Sequence, residues 1–525
     1  MADMFDIVIV GCGPVGAVAA HLCGQAGLKT LVLEREAEPH PLPRAVHLDH
    51  EMMRIFQQLG LIDRLLPLMR ATHGHVHIGA DGGVIRYLGA YGKPKRFGWS
   101  NDYFFYQPEL EAELRDSLSL YPHVELRLGA SLDDLAQDAD GATLETTVNG
   151  APVTERARYV IACDGSRSAV RRSLGVKLDD LDFEEPWLVV DVEMDGPVRF
   201  PDFAGLPAEA DLQNLSVMLC DPRRPATIVP GRGHHRRWEF MLLPGEDDQA
   251  MMASDKVADL LAPWVKGVPH RIVRATTYRF HGLVAEHWRV GRVLLAGDAA
   301  HQTPPFFGQG MCHGLRDVAN AVWKLKLILS GKADDALLDT YQQERDPHVR
   351  AVIGAAVGAG RYICILDPQA AAERDAKLRE VAKGAAPTTA ADLIPAIREG
   401  VVAPDAGERF IQPRMVDAQG REALLDDLSG SGFRLLSLDG ALLDSLRSDQ
   451  HAVLDRLDAQ VLKVAALGED GALVDVAGDM AAWLTAKGAT AVLLRPDFYV
   501  YGTASSAEGL TALVDRLPLD LHATI

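Results

Sequence analysis

A glycine pattern near the start of the chain has the spacing of a nucleotide-binding turn. The segment reads Gly11-x-Gly13-x-x-Gly16 and directly follows the apolar run Phe5–Val10. In such a segment the first glycine permits a tight turn, the second lets the backbone approach a pyrophosphate, and the third lets the following helix pack closely on the strand. Glu34 ends the next apolar run, where a carboxylate can accept a hydrogen bond from a ribose hydroxyl. The pattern predicts dinucleotide binding but does not distinguish NAD from FAD.

Two further strand–loop patterns, far along the chain, carry an aspartate at the end of an apolar run. Asp164 precedes a glycine and a group of arginines, and an aspartate there can hold backbone amides, as it would in a plain helix cap. Asp298 precedes a loop of prolines and glycines, whose exposed N–H groups could stabilise negative charge on a reduced ring. A dinucleotide pattern and a second such segment so distant from it predict one long cofactor held at both ends. FAD meets that requirement.

Composition excludes several classes of protein. The chain has 525 residues, enough for two or three domains, and its hydrophobic fraction of 48% is ordinary for a globular protein. A net charge of −20 argues against binding to nucleic acid or to an anionic membrane. We expect no membrane span and no signal peptide, because the apolar runs are short. The six cysteines form no CxxC pair, which predicts reduced thiols, a cytoplasmic location and no metal site.

Periodicity places these motifs on the elements of an α/β fold. The strand Phe5–Val10, the helix Val15–Ala26 and the strand Thr30–Glu34 form a βαβ unit. Residues 183–243 contain β-like runs that predict an antiparallel block, and from about Asp405 strands and helices alternate in a small separate unit. Helices are also predicted at Gln107–Leu120, Asp317–Ser330 and Ala333–Glu344, and strands at Tyr159–Cys163, Leu215–Leu219 and Trp238–Leu243.

Taken in order, the motifs GxGxxG, CDGxxSxVR and GDAAHxxPPFxGQGM resemble those of the single-component, class A flavoprotein aromatic hydroxylases. The resemblance spans about residues 5–365. Within that class, Arg44-Ala45-Val46 and Trp238-Glu-Phe240 are similar to segments of 3-(3-hydroxyphenyl)propionate hydroxylases. One departure is Cys312, which stands where many relatives have an asparagine after GQGM.

The resemblance implies a Rossmann-like FAD-binding domain of the GR2 type with an inserted antiparallel-sheet substrate domain. The FAD-binding domain would comprise residues 1–180 and 270–365, and the substrate domain residues 181–269. A helical linker at 366–404 would lead to a thioredoxin-like C-terminal domain at 405–525, which lacks the redox CxxC and would serve structure or assembly. The sequence is compatible with a homodimer.

The resemblance also assigns roles to single residues. FAD contacts are expected from Gly11, Gly13, Gly16, Glu34, Arg35, Arg44, Gln107, Asp164, Asp298, Gly308, Gly310 and Met311. Substrate contacts are expected on the antiparallel sheet from Trp187, Met218, Trp238 and Phe240. For catalysis we expect His47, His313 and Pro305, with a histidine helping to ionise a phenol and the proline flanking the flavin ring.

The reaction that the resemblance implies is hydroxylation of a phenolic ring, as in aromatic catabolism. NADH or NADPH would reduce FAD, O2 would form a C4a-hydroperoxyflavin, and the ring carbon ortho or para to the hydroxyl would take its distal oxygen. The favoured substrate is a 3-hydroxyphenylpropionate-like or related phenol. Because the sequence has no second GxGxxG, the nicotinamide cofactor would dock transiently, and a Baeyer–Villiger monooxygenase is disfavoured.

Three alternatives stay open at this point. The enzyme could hydroxylate a larger, polyketide-type aromatic. It could instead be a flavin oxidase or dehydrogenase that inserts no oxygen, which labelled O2 would reveal. The chain could also be a flavoprotein without catalysis, whose C-terminal unit is an interaction module. That reading predicts no substrate-stimulated oxidation of NAD(P)H.

Overall fold

The three nucleotide motifs meet at one edge of an eight-stranded sheet. The computed structural model describes residues 4–384, 394–466 and 472–524. Five strands run parallel, and Gly11, Cys163 and Ala296 each follow the carboxyl end of one of them. Because neighbouring parallel strands end at the same edge, the motifs converge there. The spatial order is Arg289–Val290, Val293–Leu295, Ala151–Ala162, Phe5–Val10, Thr30–Glu34 and Val124–Leu128, and Ala142–Val148 and Ala130–Gln137 extend the third strand.

Helices cover this parallel sheet, because its central strands are apolar on both faces. Ile7 and Val8, which point to opposite sides of the sheet, are both 0% exposed, as in other parallel strands. The helices of this region are Pro14–Gln25, His50–Gln58, Ile62–Leu65, Gln107–Asp116, Ala169–Ser173, Gly310–Leu329, Asp339–Ile363 and Pro368–Gly384. Short 3-10 turns lie at Leu66–Leu68, Ser117–Leu120, Gly297–Ala299, Pro305–Phe307 and Asp335–Leu338.

The helix Gly310–Leu329 begins before the predicted start at Asp317. Its first two turns contain Gly310 and Gly314, and glycine disfavours a helix in isolation. Tertiary packing overrides that tendency, since a Cβ at Gly314 would lie 2.4 Å from a methyl carbon of Val15 in the first helix. The two helices that follow the distant nucleotide motifs therefore touch directly.

The second large sheet is antiparallel except where Leu215–Leu219 runs parallel to Gly74–Ile78. Its strands come from several parts of the chain, and Gly74–Ile78 and Val84–Gly89 lie outside the range 181–269. The spatial order is His301–Gln302, His270–Ala285, Leu178–Met194, His235–Met241, Ala226–Pro230, Leu215–Leu219, Gly74–Ile78 and Val84–Gly89. The helices Asp248–Met251 and Ser254–Val265 contribute to an apolar cluster on one of its faces. A small sheet of His47–Asp49, Asp102–Phe105 and Met69–Ala71 lies apart from it.

The C-terminal unit has the strand order of a thioredoxin-like sheet. Arg434–Ser437 pairs in parallel with Gln460–Ala466 on one side and antiparallel with Ala491–Leu494 on the other, which pairs antiparallel with Val500–Ala504. Strands Leu473–Asp475, Arg414–Asp417 and Glu422–Leu424 extend this sheet beyond Gln460–Ala466. Its helices are Leu425–Ser429, Gly440–Asp444, Ser448–Arg456, Asp479–Ala486 and Ala507–Asp520.

The predicted linker at 366–404 contains the helix Pro368–Gly384, and its residues 385–393 lie outside the described residues. Among the helices that the structure describes, none has the length and apolar character needed to cross a bilayer.

Candidate active site

The glycine turn is packed on its flanks and open in its middle. Gly11 has φ +96°, a conformation that favours glycine, and a Cβ there would lie 2.5 Å from the carbonyl oxygen of Cys163. A Cβ at Gly16 would lie 1.9 Å from the carbonyl oxygen of Gly11. Around Gly13, by contrast, a Cβ would meet no described atom within 4 Å other than its chain neighbours. That open space is where a pyrophosphate would approach the backbone.

Glu34 holds the glycine turn from the end of the neighbouring strand. Its Oε2 accepts a hydrogen bond from the N–H of Cys12 at 2.7 Å, and its Oε1 accepts one from the N–H of Glu36 at 2.9 Å. Each carboxylate oxygen keeps a further lone pair for a ribose hydroxyl. Arg35 is 76% exposed and pairs with Glu36 at the surface, so its side chain stands in solvent outside the turn.

Arg115 closes the other side of the turn. Its Nε donates to the carbonyl oxygen of Cys12 at 3.0 Å, and its Nη2 lies 3.7 Å from Oε2 of Glu34. Its Nη1 is buried and has no hydrogen-bond partner among the residues described. A buried N–H group without a partner is costly, and this one is placed to donate to a phosphate or hydroxyl oxygen of a nucleotide.

Gln107 shapes the segment that carries Arg44. Its Oε1 accepts hydrogen bonds from the N–H groups of Arg44 at 2.8 Å and Ala45 at 2.6 Å, while its Nε2 donates to Glu111. The amide oxygen is thus fully used in shaping this segment, and the second N–H of Nε2 remains for a further partner. The side chain of Arg44 is exposed and lies close enough to Asp298 to lower its pKa.

One carboxylate oxygen of Asp164 caps a short helix, and the other accepts no hydrogen bond from the residues described. Its Oδ2 accepts from the N–H groups of Ala169 at 2.7 Å and Val170 at 3.1 Å, at the start of a short helix, but its Oδ1 is buried without a partner in the described chain. Arg171 of the same motif donates to the carbonyl oxygen of Ala299 at 2.9 Å. The second motif is therefore tied to the third, and one acceptor atom remains free between them.

The carboxylate of Asp298 has no hydrogen-bond or ion-pair partner among the residues that the structure describes. Its neighbours Gly297 and Ala299 are buried, yet its own side chain is exposed. Desolvation by the surrounding protein raises the pKa of Asp298, although His301 and Arg44 act in the opposite direction. The turn beneath it is rigid, because Oδ2 of Asp317 accepts from the N–H of Gly297 at 3.0 Å. Asp298 thus offers an unpaired acceptor on a fixed support.

The flavin-side loop, residues 304–310, is held by His47. Nδ1 of His47 lies 3.2 Å from the carbonyl oxygen of Gly308, and Nε2 lies 2.8 Å from Oδ1 of Asp102. Both partners are acceptors, an arrangement that favours the protonated ring, in which both nitrogens donate. Burial lowers the pKa of His47, but the hydrogen bond and charge of Asp102 outweigh burial and hold it above the ordinary value.

The other residues that were predicted to contact the flavin here lie in the loop or directly after it. Pro305 begins a short turn and is half-buried, as are Gly308, Gly310 and Met311. Cys312 does not face the cleft, because its thiol donates to the carbonyl oxygen of Gly308 at 3.8 Å. Burial holds the pKa of that thiol well above its ordinary value. Cys312 therefore packs beneath the loop as a neutral thiol.

His313 lies in the packed interior below the loop and is 0% exposed. Burial, followed by the charges of Arg316 and Arg345, holds the pKa of His313 well below its ordinary value. Its ring packs edge-on against His301 and His348. A neutral histidine without access to the cleft supports the structure and is poorly placed to exchange a proton with a phenol.

The structure separates the four predicted substrate residues into two pairs. Trp187 and Met218 lie on the face of the antiparallel sheet that meets the flavin-side loop, and the rings of Trp187 and Phe306 are 5.9 Å apart. Trp238 and Phe240 lie on the opposite face, in an apolar cluster with the helix Ser254–Val265. Side chains alternate between the two faces of a strand, so the two residues cannot share a cavity with Trp187.

One group has the composition of a metal site. His47, His75 and Asp102 each place one potential ligand atom within 4.8 Å of the others. Nε2 of His47, however, already donates to Asp102 at 2.8 Å. A metal would have to displace that proton, and the arrangement is explained by the ion pair alone.

The C-terminal unit reaches this site through buried charges. Arg316, one turn beyond the loop, donates to Oε1 of Gln309 and pairs with Asp49 and Glu51. Tyr499 of the C-terminal unit donates to Oε1 of Glu51 at 3.2 Å. A chain of polar contacts therefore leads from the C-terminal unit to the flavin-side loop.

Comparison with known proteins shows to which family the chain with this site belongs. Residues 4–356 match the family model described as FAD binding domain. The chain belongs to this family. Residues 407–518 match a second model, described as HcaD C-terminal domain. The predicted fold class, an FAD-binding α/β domain followed by a C-terminal domain, is confirmed.

Relatives and solved structures agree with the family. The chain is 35% identical to a probable NADH-specific resorcinol 4-hydroxylase of Rhodococcus jostii, over 98% of this chain and 94% of that protein. It is also 35% identical to a 3-(3-hydroxy-phenyl)propionate/3-hydroxycinnamic acid hydroxylase of a Mycobacterium species, over 95% of this chain and 89% of that protein. Its fold matches the flavin-dependent monooxygenase PieE, crystallised with FAD and substrate, at a TM-score of 0.81 and 24% identity over 99% of both chains.

Members of this family bind FAD, and the residues present here fit it. The open space over Gly13, the unpartnered Nη1 of Arg115, the free Oδ1 of Asp164 and the unbound carboxylate of Asp298 are the groups that an FAD molecule would satisfy. FAD when bound supplies the redox and oxygen chemistry. The chain is thus an FAD-dependent aromatic monooxygenase, the class predicted from its motifs.

Sequence reasoning missed two residues that support the candidate site, Arg115 at the glycine turn and Asp102 behind His47. Arg115 follows Gln107 and Glu111 at intervals of four, the spacing of one helix face, and that spacing could have revealed it. Asp102 carried no such signal, because it meets His47 only through the pairing of two short strands.

Proposed function

We propose that this enzyme hydroxylates a monocyclic phenol substituted meta to its hydroxyl, with NADH and O2 as co-substrates. Resorcinol carries a second hydroxyl at that position, and 3-(3-hydroxyphenyl)propionate carries a short acid chain there. The substrates named for the two relatives are therefore both phenols with a substituent meta to the hydroxyl. NADH is named for the first of them. The new hydroxyl would enter ortho or para to the existing one, because those carbons carry the electron density of a phenolate.

The observation that carries the proposal is the contact between the antiparallel sheet and the flavin-side loop. Trp187 packs edge-on against Phe306, and His75 packs edge-on against His47, with ring centroids 5.9 Å and 5.6 Å apart. The sheet and the loop thus meet through buried aromatic and histidine side chains. Surroundings of this kind suit a flat ring and exclude bulk water, which a hydroxylating flavoenzyme must keep from its reactive state.

His47 contributes charge rather than proton acceptance. In its protonated form, which the two acceptors favour, it directs Nε2–H toward Asp102 and Nδ1–H toward the carbonyl oxygen of Gly308. With both nitrogens protonated it cannot take another proton. Its positive charge favours the phenolate over the phenol in the neighbouring space, and its hydrogen bond keeps the loop in one conformation. Pro305 begins the turn that precedes Gly308.

The test is a panel of phenols with the purified holoenzyme. We expect resorcinol and 3-(3-hydroxyphenyl)propionate to stimulate NADH oxidation and to yield a ring-hydroxylated product that contains one atom from labelled O2, with little peroxide. Product without labelled oxygen would identify an oxidase or dehydrogenase. Stimulation by large polycyclic phenols alone would overturn the substrate class.

We place the enzyme in the cytoplasm, which supplies NADH and keeps thiols reduced. All six cysteines are free thiols, in agreement with that location. A homodimer is part of the same proposal, and light scattering of the purified holoenzyme tests it.

A further inference from the structure

Glu239 lies on the sheet face that meets the flavin-side loop. It pairs with Val189 on one neighbouring strand and with Thr227 on the other. Residues that pair in this way share a face, and Val189 shares its face with Trp187, two residues away. Continuing across the sheet, Thr227 pairs with Met218, and Met218 with His77.

The strand of Glu239 runs between two strands that touch the loop and its support. On one side Trp187 contacts Phe306 of the loop, and on the other side His75 contacts His47, which holds Gly308. Glu239 therefore lies on this face between the two contacts, beside the region where the proposed substrate would lie.

The carboxylate of Glu239 has no ion pair and no hydrogen bond within the described part of the chain, although the residue is only 9% exposed. The neighbouring arginines pair with a different carboxylate. Arg237 on the same strand and Arg274 two strands away both pair with Asp191, and Arg237 also donates to the carbonyl oxygens of Pro43 and Arg44. Leaving a buried carboxylate unpaired costs several kcal/mol, so a polar ligand is the natural partner of this one.

We propose that Glu239 accepts the hydrogen bond of the substrate's phenolic hydroxyl and then takes its proton. The O–H bond of the phenol breaks, its electron pair stays on oxygen as phenolate, and the proton moves to a carboxylate oxygen of Glu239. The protonated carboxyl returns the proton to solvent when the product leaves. This role rests on the function proposed above and assigns the step that His47, with both nitrogens protonated, cannot perform.

The titration of Glu239 agrees with this geometry. Burial raises its pKa to about 7, against the lowering effect of Arg237 and Arg274 and with a raising effect of Asp191. The strands Ala226–Pro230 and Leu215–Leu219 present no titratable side chain toward it, and Gly74–Ile78 presents His75 and His77, whose pKa values burial lowers. A base whose pKa is near the working pH is largely deprotonated and still binds a proton well enough to take it from the substrate.

The decisive variant is Glu239→Gln, which keeps size and shape and removes the basic oxygen. We expect kcat/KM for the phenol to fall about 100-fold at pH 7, within the range for loss of a general base. In the wild type, kcat/KM should level off above pH 7. In the variant it should continue to rise tenfold per pH unit toward the pKa of the free phenol, about 10. Glu193→Gln, at an exposed ion pair in the same sheet, is the matched control and should keep the wild-type profile.

A second measurement separates this inference from the proposed function. Phenol binding to the oxidised holoenzyme, followed by the flavin absorbance without NADH, should strengthen about tenfold per pH unit up to pH 7 in the wild type, as Glu239 becomes ionised. The same affinity should be independent of pH in Glu239→Gln. Equal pH dependence in both proteins, or a loss below threefold in kcat/KM with an unchanged profile, would overturn the role of Glu239. If no phenol stimulates NADH oxidation in the wild type, the proposed function fails, and the binding titration still decides whether Glu239 receives a phenolic proton.

Discussion

Nε2 of His47 lies 2.8 Å from Oδ1 of Asp102, and the two side chains are 4% and 1% exposed. The pair joins two strands of the small sheet and points the other nitrogen of His47 at the flavin-side loop. The folded-state pKa of His47 is raised, so its charge stabilises the fold fully below the unfolded value of about 6.5 and loses that effect as the pH rises through the folded pKa. The loop is thus held by a buried charge that Asp102 maintains.

Replacing Asp102 with asparagine should release this charge. With the carboxylate gone, burial dominates, the pKa of His47 falls below its ordinary value, and the hydrogen bond to Gly308 weakens. We expect more peroxide per NADH consumed, and a loss of about 1–3 kcal/mol in the free energy of unfolding, as for other charged hydrogen bonds. Peroxide assays and urea titration measure both, with the exposed Asp63→Asn as control. Unchanged coupling would show that the loop does not depend on His47.

Arg115→Met should weaken FAD binding. The variant loses the clamp on the carbonyl of Cys12 and the free Nη1 group. A hydrogen bond from a charged donor contributes about 1.5–3 kcal/mol, which corresponds to roughly 10–100-fold in Kd. Titration of the apoprotein with FAD, followed by flavin fluorescence, gives the value. Arg64→Met is the control, because Arg64 is 46% exposed and pairs only at the surface. Wild-type affinity in Arg115→Met would remove Arg115 from the cofactor site.

Two tryptophan variants test which sheet face meets the substrate. Trp187→Phe and Trp238→Phe should each lower the free energy of unfolding by about 1–3 kcal/mol, because both rings are 0% exposed. Only Trp187→Phe should also raise KM for the phenol and the fraction of peroxide, since Trp187 contacts Phe306 of the loop. Steady-state kinetics with parallel peroxide measurement separate the two. A kinetic effect confined to Trp238→Phe would reverse the assignment of the faces.

Arg86 is the expected partner of a substrate carboxylate. It lies beside His77 on the same sheet face as Glu239, and it donates a long hydrogen bond to the hydroxyl of Tyr362 at 3.5 Å. Arg86→Met should therefore raise KM for 3-(3-hydroxyphenyl)propionate roughly 10–100-fold. KM for resorcinol, which has no carboxylate, should stay within about twofold and is the internal control. Equal effects on both substrates would place the acid chain elsewhere.

Docking of the C-terminal unit should be sensitive to acid. Burial raises the pKa of Glu344, but the charges of Arg495 and Lys324 outweigh burial and hold it at about 2. Because this value lies below the unfolded pKa of about 4.3, Glu344 stabilises the fold above that pH and loses its contribution as the pH falls toward 2. Urea titrations from pH 7 to pH 3 should show this decline.

A matched pair of variants isolates the ion pair itself. Arg495→Met leaves Glu344 and Asp497 buried with one partner fewer and should lower the free energy of unfolding at pH 7 by about 3–5 kcal/mol. Arg447→Met, at an exposed pair of the same unit, should change it little. Equal losses in the two variants would show that burial of the charges does not set their contribution.

The order of the nucleotide motifs was readable from the sequence because the requirements at each motif are local. Gly11 needs a positive φ and Gly16 needs close contact with the turn, and both follow from spacing after a strand. The expectation that Trp187, Met218, Trp238 and Phe240 all line the substrate could not be resolved in the same way. Alternation puts Trp238 and Phe240 on one face of their strand, but it is the same in either orientation and does not decide which face meets the cofactor.

Only the tertiary structure decided the contacts between segments that are far apart in the chain. His47 holds Gly308, Arg115 holds Cys12, and Tyr499 reaches Glu51. None of these pairs leaves a periodic signal, since each depends on how two separate elements are oriented.

The sequence by itself therefore determined the FAD-binding class, through spacings that any strand–turn–helix of this kind must satisfy. The packing of the antiparallel sheet against the flavin-side loop decided which sheet face lies toward that loop. Trp238 and Phe240 are buried in the apolar cluster on the opposite face, and Glu239 lies on the loop side with its carboxylate unpartnered among the residues described. Burial acts on a group only through its final surroundings, so the charge state of Glu239 and His47 is a property of the fold.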